Sequence, residues 1–348
     1  MKIVITGGAG FIGSNLARTL IEHREISHIR VIDNLSTGYK ENIAGLALDF
    51  FEGDVQDPAL LDRAFHGADA IVHLAALPSV PRSVKDPLAS HHANATGTLQ
   101  VLEAARRAGN LHVIAASSSS VYGANPHLPK HEDLTPAPMS PYAVTKLATE
   151  AYLGAYHHSF DLPVLPFRLF NVYGPGQRAD HPYAAVIPKW ISATLDGRPL
   201  TVHGDGTQTR DFTYVGTVSR ILADSLLRRV VGPRPINLAF GTRTPLLDLI
   251  PEIEAATGFR ALWEHTAHRV GDVPHSHADG TRLRVLFPTI TSTPLKEGIS
   301  ATVDWLRADP RWALLPRNMG IAFWRDELLG TDDGRAISGR RSVEVTDT

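Results

Sequence analysis

The 348-residue chain has no cysteine. That excludes disulfides, thiolate metal ligands and thiol catalysis, and it suits a reducing compartment, with the cytosol as the default. Long apolar runs are missing as well: the first, Ile3 to Ile5, soon gives way to glycines. It is too short for a signal-peptide core, and no segment approaches the ~18 uninterrupted apolar residues of a membrane span. Neither sign of charge dominates, since 34 basic side chains face 36 acidic ones for a formal net charge of -2. Such a balance argues against nucleic acid as a partner, although one phosphorylated ligand needs only a few well-placed cations.

What is present is the composition of an ordinary globular protein, 43% hydrophobic and 20% charged, with no low-complexity block. The length exceeds that at which a single core usually stops growing, so two lobes are expected. Over the first half, short β-branched runs alternate with helical patterns, from "KIVIT" and "SNLARTLIE" through "IRVID", "ALLDRAF", "AIVHLAA", "ATGTLQVLEAARRAG" and "HVIAASSS" to a helix starting at Pro141. This rhythm predicts an α/β fold, a doubly wound parallel sheet with helices on both faces. After "VLPFRLFNVYGPG", prolines, glycines and aromatics become denser and the elements shorter. The expected organisation is a sheet domain over 1–170 and a smaller α/β substrate-binding lobe over 171–307, with some segments returning to the sheet. The lobe closes on the amphipathic "PLKEGISATVDWLRA", and 308–348 is read as a peripheral tail.

The first strand runs into "VITGGAGFIGSNL", where Gly7, Gly10 and Gly13 have G-x-x-G-x-x-G spacing between a strand and a helix. Glycines there permit a tight turn, bring backbone close to a pyrophosphate and let the helix pack on the strand, while the helix N-terminus offers amides to the anion. Alone, the triplet is also readable as a structural turn. Asp33 sharpens it, at the end of "IRVID" and twenty positions after Gly13. A carboxylate there would accept from adenosine ribose hydroxyls and oppose a 2′-phosphate, and "NLSTG" brings no arginine to neutralise one, so NAD is favoured over NADP. Asp54 in "EGDVQD" is open between the adenine edge and a cap for the helix of "DPALL". Further on, "SPYAVTK" sets Tyr142 four positions before Lys146 on one helical face, behind a proline suited to a first turn. By itself such a pair can be a solvated patch.

In this order, "TGGAGFIG", "DNLSTG", "GDVQD", "VHLAA", "SSSSVYG", "SPYAVTK", "FNVYGPG", "GDGTQTRDFTYV" and "RVGDVPHSHAD" resemble the extended short-chain dehydrogenase/reductases, and most closely the UDP-hexose 4-epimerases. The likeness runs from residue 1 to about 307. It implies a Rossmann domain with an NAD site formed by Gly7, Gly10, Phe11, Ile12, Gly13, Asp33, Asn34, Ser36, Thr37, Gly38, Asp54, Val55, Leu74, Ala75, Ala76 and Asn94, together with Tyr142 and Lys146. It also implies Tyr142 as acid/base, Lys146 on the nicotinamide ribose and Ser118 at the reacting oxygen. Alternatives remain: Ser118 is one of four consecutive serines, Ser117 to Ser120, and Asn94 could cap a helix. A free phenol titrates near pH 10, and an ammonium ~4 Å away at an effective dielectric of ~20 favours the phenolate by about 4 kcal/mol, or about three pKa units.

The implied reaction is an isomerisation: inversion of C4 of a UDP-sugar through a transient 4-keto intermediate, with NAD regenerated. Relatives that dehydrate or decarboxylate that intermediate carry acidic residues just after the catalytic serine or threonine. Here those positions are Ser119 and Ser120, and no carboxylate lies between Glu103 and Glu132. A non-catalytic NAD-binding regulator would not need Ser118, Tyr142 and Lys146 together. For the substrate, the resemblance assigns Asn171, Arg210 and Arg269 to the diphosphate, with ion pairs to Asp211 and Asp272 as the alternative, and Asp272 itself to the same site. Val186, Ile187 and Lys189 would line the uracil edge, and Ser118, Ser119 and Tyr142 the sugar. Arg178 discriminates between sugars: pointing inward it would pair with a C6 carboxylate, which gives a slight lean to UDP-glucuronic acid, and pointing away it leaves UDP-glucose or UDP-N-acetylglucosamine. The histidines at 265, 268, 275 and 277 lack a supporting carboxylate or cysteine pattern, so no metal is expected. The helices of "GTLQVLEAARRAG" and "YAVTKLATEAYLGAY" have family counterparts that pair across a dimer, so a homodimer is expected, with a face covered inside one subunit as the alternative.

Overall fold

The computed structural model describes residues 1–180, 184–267 and 275–308. Arg269, Asp272 and nearly all of the tail lie outside the described residues. In the first half β1 (Lys2–Thr6), β2 (His28–Asp33), β3 (Asp49–Glu52), β4 (Ala70–His73), β5 (His112–Ser118) and β6 (Val164–Leu169) alternate with helices. These are α1 (Phe11–Ile21), α2 (Pro58–Phe65), α3 (Val80–Lys85), α4 (Pro87–His91), α5 (Gly97–Arg107) and α6 (Pro141–Phe160). The second half adds the short strands β7 (Val172–Tyr173), β8 (Leu200–His203), β9 (Thr209–Arg210), β10 (Thr213–Tyr214), β11 (Ile236–Leu238), β12 (Thr244–Pro245) and β13 (Trp263–Thr266). Its helices are α7 (Val186–Leu195), α8 (Val215–Leu227), α9 (Leu249–Thr257), α10 (Thr281–Leu286) and α11 (Leu295–Arg307).

A seven-stranded sheet has the order β11-β6-β5-β4-β1-β2-β3, parallel throughout. Strands covered on both faces must be apolar on both, and β1 shows it: Ile3 and Ile5 enter one core while Val4 enters the other. On the first face Leu16, Ala17 and Leu20 of α1 pack with Val218, Ile221 and Leu222 of α8; on the second lie Leu60 and Leu61 of α2 and Val101 and Leu102 of α5. A third core joins α7, β8, α9 and α11 through Ile191, Val202, Ile253 and Val303. Because β11 returns beside β6 and α8 lies on α1, Met1–Arg307 form one compact unit.

Local chemistry sets the helix starts. Asp57 begins α2, its carboxylate accepting from Ala59 N at 2.9 Å and Leu60 N at 3.3 Å ahead of Pro58. Asp57 rather than Asp54 is therefore the cap of "DPALL". Ser140 starts α6 in the same manner, accepting from Ala143 N at 3.2 Å, with Pro141 in the first turn. Ser79 and Asp86 cap α3 and α4, two short helices outside the βα rhythm. No helix among the described residues is long and apolar enough to cross a membrane. The strand order reverses between β1 and β4, which opens a crevice at the carboxyl ends of the strands.

Candidate active site

That crevice is a cavity of about 550 Å³. Gly7, Gly10, Phe11, Ile12 and Gly13 line it from the turn after β1, Asp33, Asn34, Ser36 and Thr37 from the end of β2, and Asp54 and Val55 from beyond β3. Leu74, Ala75 and Ala76 follow β4, Ser118 ends β5, and Tyr142 and Lys146 come from α6. A Cβ on Gly13 would sit 2.3 Å from the Gly7 carbonyl oxygen, and one on Gly7, whose φ is 71°, would sit 2.7 Å from Ala75 N. Side chains are therefore excluded from the cradle. Gly10 is the N-cap of α1 and offers no side-chain cap, so the first amides of that helix are left for an anion.

Asp33 is buried, and its carboxylate accepts from Ala9 N at 3.0 Å and Leu35 N at 2.8 Å. Burial pushes its pKa up, and these amides oppose the shift. Asn34 Nδ2 donates to Asp54 Oδ2 at 2.8 Å, and Asn34 Oδ1 accepts from Ser36 N at 3.1 Å. Two expected cofactor contacts do not line the cavity. Gly38 packs behind Asp33, where a Cβ would come 2.9 Å from Oδ2. Asn94 is buried in a π-helical turn, neither an N-cap nor a lining residue. Its Oδ1 accepts from Leu77 N at 2.7 Å and its Nδ2 donates to Thr145 Oγ1 at 3.0 Å, which ties the wall after β4 to α6.

The structure separates the four serines. Ser117 turns to Glu150, its Oγ 2.5 Å from Oε1. Ser118 stands by Tyr142 and accepts from Ser120 Oγ at 2.9 Å. Ser119 is half-buried in the following turn and does not line the cavity. Burial raises the pKa of Tyr142, and the hydrogen bond with Ser118 works against that rise. Lys146 Nζ donates to the Ala116 carbonyl at 2.8 Å, and burial pushes its pKa down to about 8. The expected lowering of the phenol by Lys146 is therefore not what this structure contains. Desolvation outweighs other influences on both groups, and the ammonium is held by β5.

His73, at the end of β4, was not singled out from sequence. It is buried, Nδ1 lies 2.7 Å from Thr6 Oγ1 and Nε2 3.1 Å from Thr98 Oγ1, and burial pushes its pKa down to about 3, with Lys146 adding to the effect. A histidine ending an apolar strand was the available signal, because a buried polar ring needs partners.

Asn171 and Val172 also line a second cavity of about 320 Å³, which includes Val186, Ile187, Trp190, Gln208, Arg210 and Phe212. Asn171 has φ of 29°, a strained conformation, and its Nδ2 donates to the Asp211 carbonyl at 3.2 Å. The Asp211 carboxylate accepts from Gly241 N, Thr242 Oγ1 and Ala278 N, so its hydrogen bonds go to the backbone and hydroxyl of the neighbouring loops. Lys189 is exposed and lines neither cavity, which removes it from the expected uracil edge. Arg178 also lines neither: Nε donates to Asp180 at 3.0 Å, Nη2 meets the same carboxylate, and the guanidinium lies 4.2 Å over the Tyr39 ring. Its anionic and aromatic partners hold it there. His265 Nδ1 meets the Gly204 carbonyl and His275 Nδ1 the Thr209 hydroxyl; no cluster that could hold a metal occurs among the described residues.

Comparison with known proteins agrees with this geometry. The chain belongs to the NAD dependent epimerase/dehydratase family, whose model matches residues 3–239. A UDP-glucose 4-epimerase of Mycolicibacterium smegmatis is 36% identical over 318 residues, covering 88% of this chain and 99% of the relative. Among solved structures, a UDP-N-acetylglucosamine 4-epimerase from Methanobrevibacter ruminantium M1, in complex with UDP-N-acetylmuramic acid, superposes with a TM-score of 0.81 at 37% identity, covering 88% of this chain and 97% of that one. A UDP-glucuronic acid 4-epimerase from Bacillus cereus, in complex with UDP-glucuronic acid and NAD, has a TM-score of 0.81 at 33% identity, covering 88% and 99%.

Proposed function

We propose that the protein is an NAD-dependent UDP-sugar 4-epimerase. The observation that carries this reading is a cradle lined by Ser118, Tyr142 and Lys146 that adjoins a second cavity, holding Arg210, through Asn171 and Val172. The residues fit NAD: a glycine turn closed to side chains, an uncapped helix start, and a carboxylate at the end of β2. When bound, NAD supplies a reversible hydride acceptor and the positive charge of its oxidised nicotinamide. Tyr142 accepts the proton of the sugar C4 hydroxyl at its phenol oxygen and returns it after inversion. Its raised pKa in the protein alone leaves that positive charge to complete its activation. Ser118 holds the reacting oxygen by a hydrogen bond, and Lys146 orients the nicotinamide ribose. Arg210 and Asn171 anchor the diphosphate, so the 4-keto sugar turns about a fixed point before C4 is reduced from its other face. Ser119 and Ser120 supply no carboxylate for elimination, which disfavours a dehydratase.

For the sugar, the same reading takes a neutral hexose or N-acetylhexosamine, because Arg178 is held by Asp180 and Tyr39 rather than aimed into a cavity. Purified protein supplied with UDP-glucose, UDP-N-acetylglucosamine and UDP-glucuronic acid separately is expected to turn over one of the first two; turnover of UDP-glucuronic acid alone would overturn the assignment. A homodimer and a cytosolic location are proposed alongside. Val144 and Phe160 of α6 are exposed apolar side chains that suit a partner, and sedimentation velocity checks the assembly.

A further inference from the structure

Three successive residues at the end of β5 are each tied to α6. The Ala116 carbonyl accepts from Lys146 Nζ at 2.8 Å, Ser117 Oγ donates to Glu150 Oε1 at 2.5 Å, and Ser118 is hydrogen-bonded with Tyr142. Glu150 is gripped from the other side by Arg168 of β6, through Nε to Oε1 at 2.9 Å and Nη2 to Oε2 at 2.7 Å. Both charges are buried, with 3% and 7% of the Arg168 and Glu150 side chains exposed. Arg168 also lies 4.7 Å over the ring of Tyr122, whose hydroxyl donates to Asn237 of β11 at 2.7 Å.

Buried ion pairs cost desolvation and seldom stabilise a fold more than apolar residues of similar volume would. This one touches the end of the strand that carries Ser118. Glu150 also follows Lys146 by one turn on the same helix, and an unpaired carboxylate there would draw the ammonium off the Ala116 carbonyl. Arg168 satisfies that carboxylate first.

We propose that Ser117, Glu150 and Arg168 are positioning residues. The ion pair cancels a charge beside Lys146, and Ser117 couples the pair to the end of β5, so that Ser118 and the Lys146 ammonium keep their places next to Tyr142. The roles of those three residues rest on the epimerase reading. Around Lys146 stand Tyr142 and Glu150 on its own helix and His73 on β4, while Arg168 of β6 faces Glu150 with the Tyr122 ring beneath it. Residues 116 to 118 of β5 are uncharged, and no charged group of α3, α4 or α5 contributes to the shift of Lys146, which burial alone produces.

The test reads the acetylation rate of Lys146 by acetic anhydride at pH 8, using peptide mass spectrometry, beside kcat and KM of the same preparations. Arg168→Met releases Glu150 to Lys146. It is expected to slow acetylation of Lys146 about fivefold, as for a rise of one unit from a pKa of about 8 read at pH 8, while exposed Lys189 keeps its rate. kcat falls by a similar factor with KM within about twofold. The double change Glu150→Gln with Arg168→Met removes both charges and restores the Lys146 rate to within about twofold. Wild-type reactivity of Lys146 in folded Arg168→Met protein would overturn the charge role. Ser117→Ala leaves the ion pair in place and provides the test should Arg168→Met not fold. It is expected to lower kcat about three- to tenfold at unchanged KM, as for one lost hydrogen bond, with rescue by Ser117→Thr. Wild-type kcat in Ser117→Ala would overturn the positioning role. A wild-type protein inactive on every UDP-sugar would remove the epimerase reading, and the acetylation rates would still decide this one.

Discussion

The two cavities that meet at Asn171 are built by different means. The larger is mostly backbone: a glycine turn, the open end of α1 and the carboxyl ends of parallel strands, with Asp33 fixed by two amides. The smaller is made of side chains carried on short elements, with Trp190 from α7, Arg210 from the two-residue strand β9, and Phe212 from the loop that follows. Backbone geometry suits a cofactor that stays the same through every turnover, whereas side chains on short segments suit a ligand whose identity varies between relatives. On this view the chemistry belongs to the first region and substrate affinity to the second.

Substitutions can break that division. Tyr142→Phe removes the proton acceptor and is expected to lower kcat about 10³-fold, with substrate KM nearly unchanged, in a coupled assay of C4 inversion. Lys146→Met should also abolish most turnover, yet stabilise the fold. The folded pKa of Lys146, about 8, lies below its ordinary 10.5, so the folded state disfavours its charged form. The cost is fully present below pH 8 and fades as pH rises toward 10.5. Urea unfolding at pH 7 should therefore show a gain of up to about 3 kcal/mol that narrows above pH 8. Arg210→Lys exchanges a planar fork for a point charge and is expected to raise KM for the UDP-sugar about tenfold with kcat little changed. A fall in kcat at constant KM would blur the division. Arg178→Ala should alter KM for any UDP-sugar by less than about twofold, because its guanidinium is engaged by Asp180 and Tyr39.

How much was legible in advance follows the same contrast. The βα rhythm, the glycine spacing, Asp33 at a strand end and the Tyr142–Lys146 helical pair are local patterns, and backbone geometry turns local patterns directly into position. The capping role of Asp57 is equally local, set by its place directly before Pro58. Arg178 was not legible, because its direction is decided by Tyr39, distant in sequence, as well as by its neighbour Asp180. Nor was the state of the Tyr142 phenol, since spacing reveals a nearby lysine but not that its ammonium is held by Ala116. Ser117 and Ser118 could be told apart only once the Glu150–Arg168 pair was placed beside Ser117. Long-range partners, rather than helix or strand propensity, decided each of these.

The most direct test of the central claim follows UDP-glucose and UDP-N-acetylglucosamine by proton NMR after incubation with the purified protein and NAD. The account predicts growth of the C4 epimer of one of them to a stable mixture, with no net consumption of NAD. Formation of a 4-keto-6-deoxy sugar, or stoichiometric reduction of NAD with no epimer, would contradict it.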